Sequence, residues 1–352
     1  MATFGKKDRI MQVFDDAVRF NDSLFENDLQ NVSIEMKGDI DQLFNELEEY
    51  RDSKTFQQII EFCASFKRIA PFNAMLIHMQ LPGCRYALTA KQWRREYNRK
   101  LKRNARPLFY LNMTPVGAVY DISHTEPINN NGPTDQEILE RVAHPFKGSG
   151  AFDNRILQTL LSNLPYFGIG SDLDFIATDS YGAYICQYES LGKVNFRYKG
   201  DDYLTEWPLP YYMSVNKSFN DLERFQAICH ELGHFFCHHL PPQTKDWWEK
   251  RETDKTIREF EAEITAYLVC KRNGIEPPKS GEYLAGYVSK HTEIPRNISV
   301  ESIMNAVRDI ERMLSPMEYT DGLLYKKDDR FQKRIQEAKR LVDDKNKRKK
   351  KR

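Results

Sequence analysis

Apolar residues recur at spacings of three and four through the first part of the chain. Met11, Phe14 and Val18 show the pattern, and Leu43 and Leu47 repeat it, with acidic residues between them. Residues 6–69 are therefore predicted to be helical, including the stretch TFQQIIEFCASF. PFNAMLIHMQ predicts a short buried helix opened by Pro71, whose fixed φ suits a first helical turn. Two strands are expected at PLFYLNM and VGAVYDIS, separated by Thr114-Pro115. Turn-forming residues crowd INNNGPTD at 128–135 and HPFKGSG at 144–150, so a domain boundary is expected there. A helix near 153–163 precedes three short strand patterns, DFIATD, AYICQYES and KVNFRYK, and a fourth at LPYYMSVN. From Leu222 to about 342 the pattern is mainly helical. The expected fold class is α+β, with an N-terminal helical and small β region. The C-terminal region is mainly helical with a small sheet.

A chain of 352 residues exceeds one ordinary domain and suggests about two. The net charge of +1 conceals an asymmetry: KNKRKKKR at the C-terminus carries seven positive charges, which leaves the remainder at −6. That tail is expected to be disordered. It would attract phosphates nonspecifically or serve solubility or localisation. Six scattered cysteines without a C-x-x-C pair fit reduced thiols. MATFGKKDRI lacks the apolar core of a signal peptide, and no apolar run approaches the roughly 20 residues needed to span a bilayer. A cytoplasmic protein with no membrane partner is expected.

The chemistry concentrates in FQAICHELGHFFCHHL. His230 and His234 are four apart, so on a helix both imidazoles leave one face, as two ligands of one zinc must. Glu231 sits beside them, placed to reach a water on the metal without ligating it. Gly233 costs roughly 1 kcal/mol against Ala in a helix interior, which predicts the close approach of another element. Pro241-Pro242 is expected to end the helix. His238 would continue the His230–His234 face, with His239 adjacent. A catalytic zinc needs a third protein ligand. IREFEAEITAYLVC offers Glu259, Glu261 and Glu263. Apolar residues surround Glu261 and Glu263, and a carboxylate buried there is costly unless a cation neutralises it.

These residues resemble the ImmA/IrrE-type metallopeptidases, of gluzincin type, and more closely the antirestriction ArdC group. Ala262 to Cys270 followed by Gly274-Ile275 resembles the group's AELGAAFLC…GI, and SGEYLAGYVSKH resembles its YIxxWL helix, with Tyr287 in place of Trp. The resemblance implies Glu263 as third ligand. The broader ImmA/IrrE pattern implies Glu261 instead. The two lie about 200° apart on a helix, so only one can face the metal. The N-terminal half resembles the group's single-stranded-DNA-binding domain through Phe72-Asn73, Leu76-Ile77, Gln80, Pro82, Trp93, Arg99 and Asp121…Thr125.

KQWRREYNRKLKRNAR carries eight basic residues and one acid around Trp93 and Tyr97. Two accounts compete for it. Arg94, Arg95, Arg99, Lys100, Lys102 and Arg103 could track phosphates while Trp93 stacks on a base. Alternatively the aromatics pack inward beneath a solvated basic face. The resemblance favours single-stranded DNA as partner. The expected organisation is an acidic helical leader (1–54), a single-stranded-DNA-binding domain (55–135), a zinc metallopeptidase domain (150–315), a C-terminal helix (316–344) and a basic tail (345–352). The expected function is a Zn2+-dependent hydrolase of a protein or peptide substrate, linked to DNA and to antirestriction. The rival is a DNA-coating protein whose zinc domain is a scaffold.

Overall fold

The computed structural model describes residue 41 and residues 52–66, 69–110, 117–129, 132–143, 152–175, 182–275 and 293–350. Most of the predicted helical leader, the 144–150 break and the SGEYLAGYVSKH segment lie outside the described residues. The fold is mixed α+β, as expected. It divides into two units: residues 1–149 with 270–305, and residues 150–269 with 306–352.

In the first unit α1 (Ser53–Ser65) starts at Asp52, whose side chain accepts from the Thr55 amide at 2.9 Å. Its C-terminal carbonyls, orphaned by the helix end, meet the buried Arg272 guanidinium, which donates to Cys63 and Phe66. Helix α2 (Pro71–Gln80) begins on its proline and is buried on most sides. Gln80 then clamps a strand: its amide donates to the Phe109 carbonyl and accepts from the Phe109 amide, each at 2.8 Å. The strands are short. β1 (Ala87–Leu88), β4 (Gly117–Asp121) and β3 (Leu108–Tyr110) form one antiparallel sheet in that order, and β2 (Arg99–Leu101) pairs with β5 (Thr125–Pro127). Between them α3 (Ala90–Tyr97) opens with a Thr89/Gln92 capping box and ends at Asn98 in the left-handed region. Helix α4 (Asp135–Ala143) closes this part of the chain.

In the second unit α5 (Asn154–Asn163) and a 3-10 turn (Leu164–Phe167) lead into a three-stranded sheet of order β6-β8-β7. β6 (Ile169–Phe175) runs parallel to β8 (Asp201–Asn216), and β7 (Ala183–Tyr198) runs antiparallel to it. Two expected strands, AYICQYES and KVNFRYK, are thus one strand of 16 residues with a bulge between Gln187 and Ser190. Gly192 does not break it. A Cβ there would meet Leu209 Cδ1 at 2.2 Å, so the glycine permits close packing within the sheet. The β7–β8 turn is Lys199-Gly200, both at positive φ, as a tight hairpin requires. β8 also reaches further back than LPYYMSVN. Pro208 and Pro210 argue against a central strand, but β6 pairs with β8 only from Tyr211 onward.

The helices after the sheet are α6 (Asp221–Phe236), α7 (Lys255–Arg272), α8 (Val300–Met313), α9 (Leu323–Lys327) and α10 (Asp329–Lys350). Helix α10 runs through most of the basic tail that was expected to be disordered. Good helix formers continue without a proline or glycine to stop them, so the helix begun at Asp329 propagates. Among the described residues no helix is long and apolar enough to cross a membrane, and all six cysteines are free.

Candidate metal centre

Helix α6 is set by its ends. Asn220 and Glu223 make a capping box at its start, each side chain bonding the other's backbone amide. Phe225, Ile228, Leu232 and Phe235 bury one side of it. The expected close approach at Gly233 is real: a Cβ there would lie 2.9 Å from the Ala262 Cα and 3.0 Å from its carbonyl oxygen. Ala262 lies between Glu261 and Glu263 on α7. The missing side chain therefore brings the acidic stretch of α7 against the histidines of α6.

The histidine Nε2 atoms of His230 and His234 are 3.2 Å apart. Glu259 Oε2 lies 3.5 Å from the first and 3.7 Å from the second. Donor atoms about 2.0–2.2 Å from a tetrahedral zinc stand roughly 3.3–3.5 Å from one another, so this triangle has the dimensions of three ligands of one ion. The chemistry also fits: two imidazoles and one carboxylate make a three-ligand set that leaves a fourth position to solvent.

The expected third ligand, Glu263, is not in this triangle. Its Oε2 meets the other ring nitrogen of His230, Nδ1, at 3.0 Å. The expected alternate, Glu261, is not there either. It is fully buried, its two oxygens accept from the Arg251 guanidinium, and Oε2 accepts from His239 Nε2 at 2.8 Å. The reason is helical. Glu259 and Glu263 are one turn apart on the same face, and the angular argument that separated Glu261 from Glu263 could not choose between those two. Glu259 is also the most exposed of the three acids, 45% against 13% for Glu263.

Helix α6 also stops earlier than the prolines suggested, at Phe236. His238 takes φ 61, and the His239 amide bonds back to the His234 carbonyl at 3.0 Å. This left-handed cap turns His238 off the His230–His234 face and swings His239 back toward it. His238 stacks on Trp248 and lines a separate cavity of about 270 Å³ with Phe236 and Trp247. His239 Nδ1 reaches His234 Nδ1 at 2.9 Å.

Glu231 is buried, and its Oε2 accepts the Ile185 amide of β7 at 2.9 Å. Burial outweighs the attraction of His230 and pushes its carboxyl up to about 7. His230 moves up as well. Burial would lower it, but Glu259 and Glu263 together raise it to about 10 without metal. Those same histidines hold Glu259 well below the usual carboxylate range. Burial and Arg251 push His238 down to about 4.

The basic segment of the first unit divides sharply. Trp93 is fully buried, donates from Nε1 to the Tyr120 carbonyl at 2.8 Å, and packs against Tyr86 and Tyr97. Its expected role as a stacking platform is therefore corrected: the ring belongs to the core. Arg99 is corrected too. It is buried and donates to Thr125, Pro133 and Asp135, the last at 2.6 Å. Arg94, Arg95, Lys100, Lys102 and Arg103 are exposed. Lys100 lies 3.3 Å from Glu126, and Lys102 donates to the Ser123 carbonyl. Asp121, another motif residue, accepts from the amides of Arg85, Tyr86 and Ser123. The motif that prompted the DNA-binding expectation is thus largely a bracing network.

Residues 186–270, which span β7, β8, α6 and most of α7, match the profile of the IrrE N-terminal-like domain, a peptidase family of the M78 class. Two solved structures are similar to the chain, both of the antirestriction ArdC protein from plasmid R388. The Mn(II)-bound form has 14% identity and a TM-score of 0.34, covering 70% of this chain and 85% of that one. The metal-free form has 14% identity and a TM-score of 0.32, covering 69% and 84%. No curated protein matches the chain. The family profile agrees with the ImmA/IrrE-type resemblance drawn from the sequence.

Proposed function

We propose that the second unit is a zinc-dependent peptide hydrolase, with His230, His234 and Glu259 as metal ligands and Glu231 as general base. The observation that carries this is the triangle of two Nε2 atoms and one carboxylate oxygen, with edges of 3.2, 3.5 and 3.7 Å. A zinc ion bound there supplies Lewis acidity and brings the pKa of a water toward about 7. The residues of the chain do the rest. Glu231 takes the proton of the attacking water and returns it to the leaving amine. The Ile185 amide fixes the carboxylate that does so, and burial raises its proton affinity above that of an exposed carboxylate. Glu263 orients His230 through Nδ1. A buried glutamate beside the pair, and a third ligand left half open, support catalysis over a purely structural ion.

The first unit is inferred to bind single-stranded DNA through Arg94, Arg95, Lys100, Lys102 and Arg103, whose exposed charges suit phosphates. A cytoplasmic, DNA-linked or antirestriction role for the whole chain rests on the resemblance to ArdC. The proposed domain organisation remains a leader, a DNA-binding domain, the peptidase domain and a C-terminal helix.

The test is elemental analysis of metal-replete protein together with Glu231→Gln. One zinc per chain in both proteins, with peptide cleavage only in wild type, is expected. Loss of zinc in Glu231→Gln as complete as in His230→Ala would make Glu231 a ligand and overturn the assignment.

A further inference from the structure

Three residues beyond the triangle form a continuous chain to His234. Arg251 donates to both oxygens of Glu261, at 2.9 Å from Nη2. Glu261 Oε2 lies 2.8 Å from His239 Nε2, and His239 Nδ1 lies 2.9 Å from His234 Nδ1. The side chains of His239 and Glu261 are 2% and 0% exposed, so water does not compete for these bonds. We propose that His239, Glu261 and Arg251 are a positioning relay that fixes the tautomer of His234 and aims its Nε2 at the metal. This rests on the metal reading above.

The proton positions follow from one requirement. A metal on His234 Nε2 needs the lone pair of that nitrogen, so the ring proton sits on Nδ1. That N–H points at His239 Nδ1, which must then accept. A neutral His239 that accepts at Nδ1 carries its proton on Nε2 and donates to Glu261. Glu261 accepts it as a carboxylate, which the bidentate guanidinium of Arg251 stabilises. Each of the three contacts permits one assignment, and all three agree with a metal on Nε2. Free imidazole favours the opposite tautomer, with the proton on Nε2, so the relay imposes the less common form on His234.

The backbone makes the relay possible. His238 at φ 61 and the His239-to-His234 backbone bond fold the chain so that His239 lies beside His234. The Arg251 amide also bonds the His238 carbonyl at 3.0 Å, which ties the cationic end of the relay to the same turn. The two metal histidines are thus oriented by different means. His230 has the carboxylate of Glu263 directly on Nδ1, while His234 has a neutral imidazole between itself and the carboxylate.

The test uses the full chain as wild type, His239→Gln and His239→Leu. Glutamine offers an oxygen to His234 and an N–H to Glu261, and leucine offers neither. Histidine-selective 15N NMR reads the tautomers, and competition with a chromophoric chelator reads zinc affinity. Wild type is expected to show His234 protonated on Nδ1 and His239 on Nε2. His239→Leu should move the His234 proton to Nε2 and weaken zinc about 10–100-fold. His239→Gln should restore both. Wild-type affinity in the leucine variant, or a glutamine variant as weak as leucine, would overturn the relay. If His239→Leu does not fold, the glutamine variant and the wild-type spectrum decide. His239 carrying its proton on Nδ1 is then the overturning result. A wild type that takes up no zinc overturns the metal reading instead, and the metal-free spectrum still judges the relay: His234 protonated on Nδ1 supports it, and on Nε2 overturns it.

Discussion

Glu259 and Glu261 stand two residues apart on one helix and meet opposite fates. Glu259 is half exposed and lies 3.5 and 3.7 Å from two imidazole nitrogens. Glu261 is wholly buried and its charge is met by Arg251 and His239 at hydrogen-bond distance. Glu261 already has its cation in Arg251, whereas Glu259 leaves room beside the imidazoles for an ion from solution. A buried carboxylate does demand a positive partner, yet the protein can supply that partner itself. Spacing between donor atoms, more than depth of burial, distinguishes a metal ligand from a salt bridge.

The comparison breaks most readily at Arg251. Arg251→Met strands the buried carboxylate of Glu261 and is expected to destabilise the metal-free protein by about 3–5 kcal/mol in urea unfolding. Glu259→Ala should cost the metal-free protein less, through the lost pairing of a half-exposed carboxylate with His230, and abolish tight zinc binding. Equal stability losses in the two variants would erase the distinction between the clusters.

The first unit offers a parallel contrast between buried Trp93 and exposed Arg94. Trp93→Ala is expected to cost about 3–5 kcal/mol of stability, because it empties the Tyr86–Trp93–Tyr97 packing and removes the bond from Nε1 to the Tyr120 carbonyl. Joint neutralisation of Arg94, Arg95, Lys100, Lys102 and Arg103 should change melting little and lower single-stranded-DNA affinity, with a shallower dependence on salt. Unchanged DNA binding in that variant would remove the segment from the proposal.

A smaller effect sharpens the metal side. Without metal, His230 rises from 6.5 to about 10, so its charged form is favoured by the fold. That stabilisation is fully present below about pH 6.5 and is lost as pH rises through about 10. Metal needs the neutral ring, so binding must release this proton. The gap in melting temperature between zinc-bound and metal-free protein should therefore widen from pH 6.5 to 9. Calorimetry in buffers of different ionisation enthalpy should also show proton release. A gap that narrows over this range would place the proton elsewhere.

Much of this was legible in the sequence, for stated physical reasons. The i, i+4 histidine pair, the unmatched cost of Gly233 and the acidic helix downstream each depend on local spacing, and each appears in the structure as anticipated. Which acid stands beside the two Nε2 atoms was not legible, because Glu259 and Glu263 share a helix face and only the pose of α7 against α6 decides which lies there. The stop at His238 was hidden as well. A left-handed non-glycine residue has no strong sequence signal, whereas the prolines beyond it are a strong stop signal. Trp93 shows the same limit. A basic helix with two aromatics four apart looks alike whether the rings face a nucleic acid or a core, and here Tyr86 and the Tyr120 carbonyl settle it inward.

The central claim is that His230, His234 and Glu259 hold one divalent ion. A crystal of the zinc-soaked protein, measured on both sides of the zinc absorption edge, tests it directly. A single anomalous peak is expected about 2.0–2.2 Å from His230 Nε2, His234 Nε2 and a Glu259 oxygen. A peak coordinated by Glu263 or Glu261 in place of Glu259, or no peak at these histidines, would contradict it.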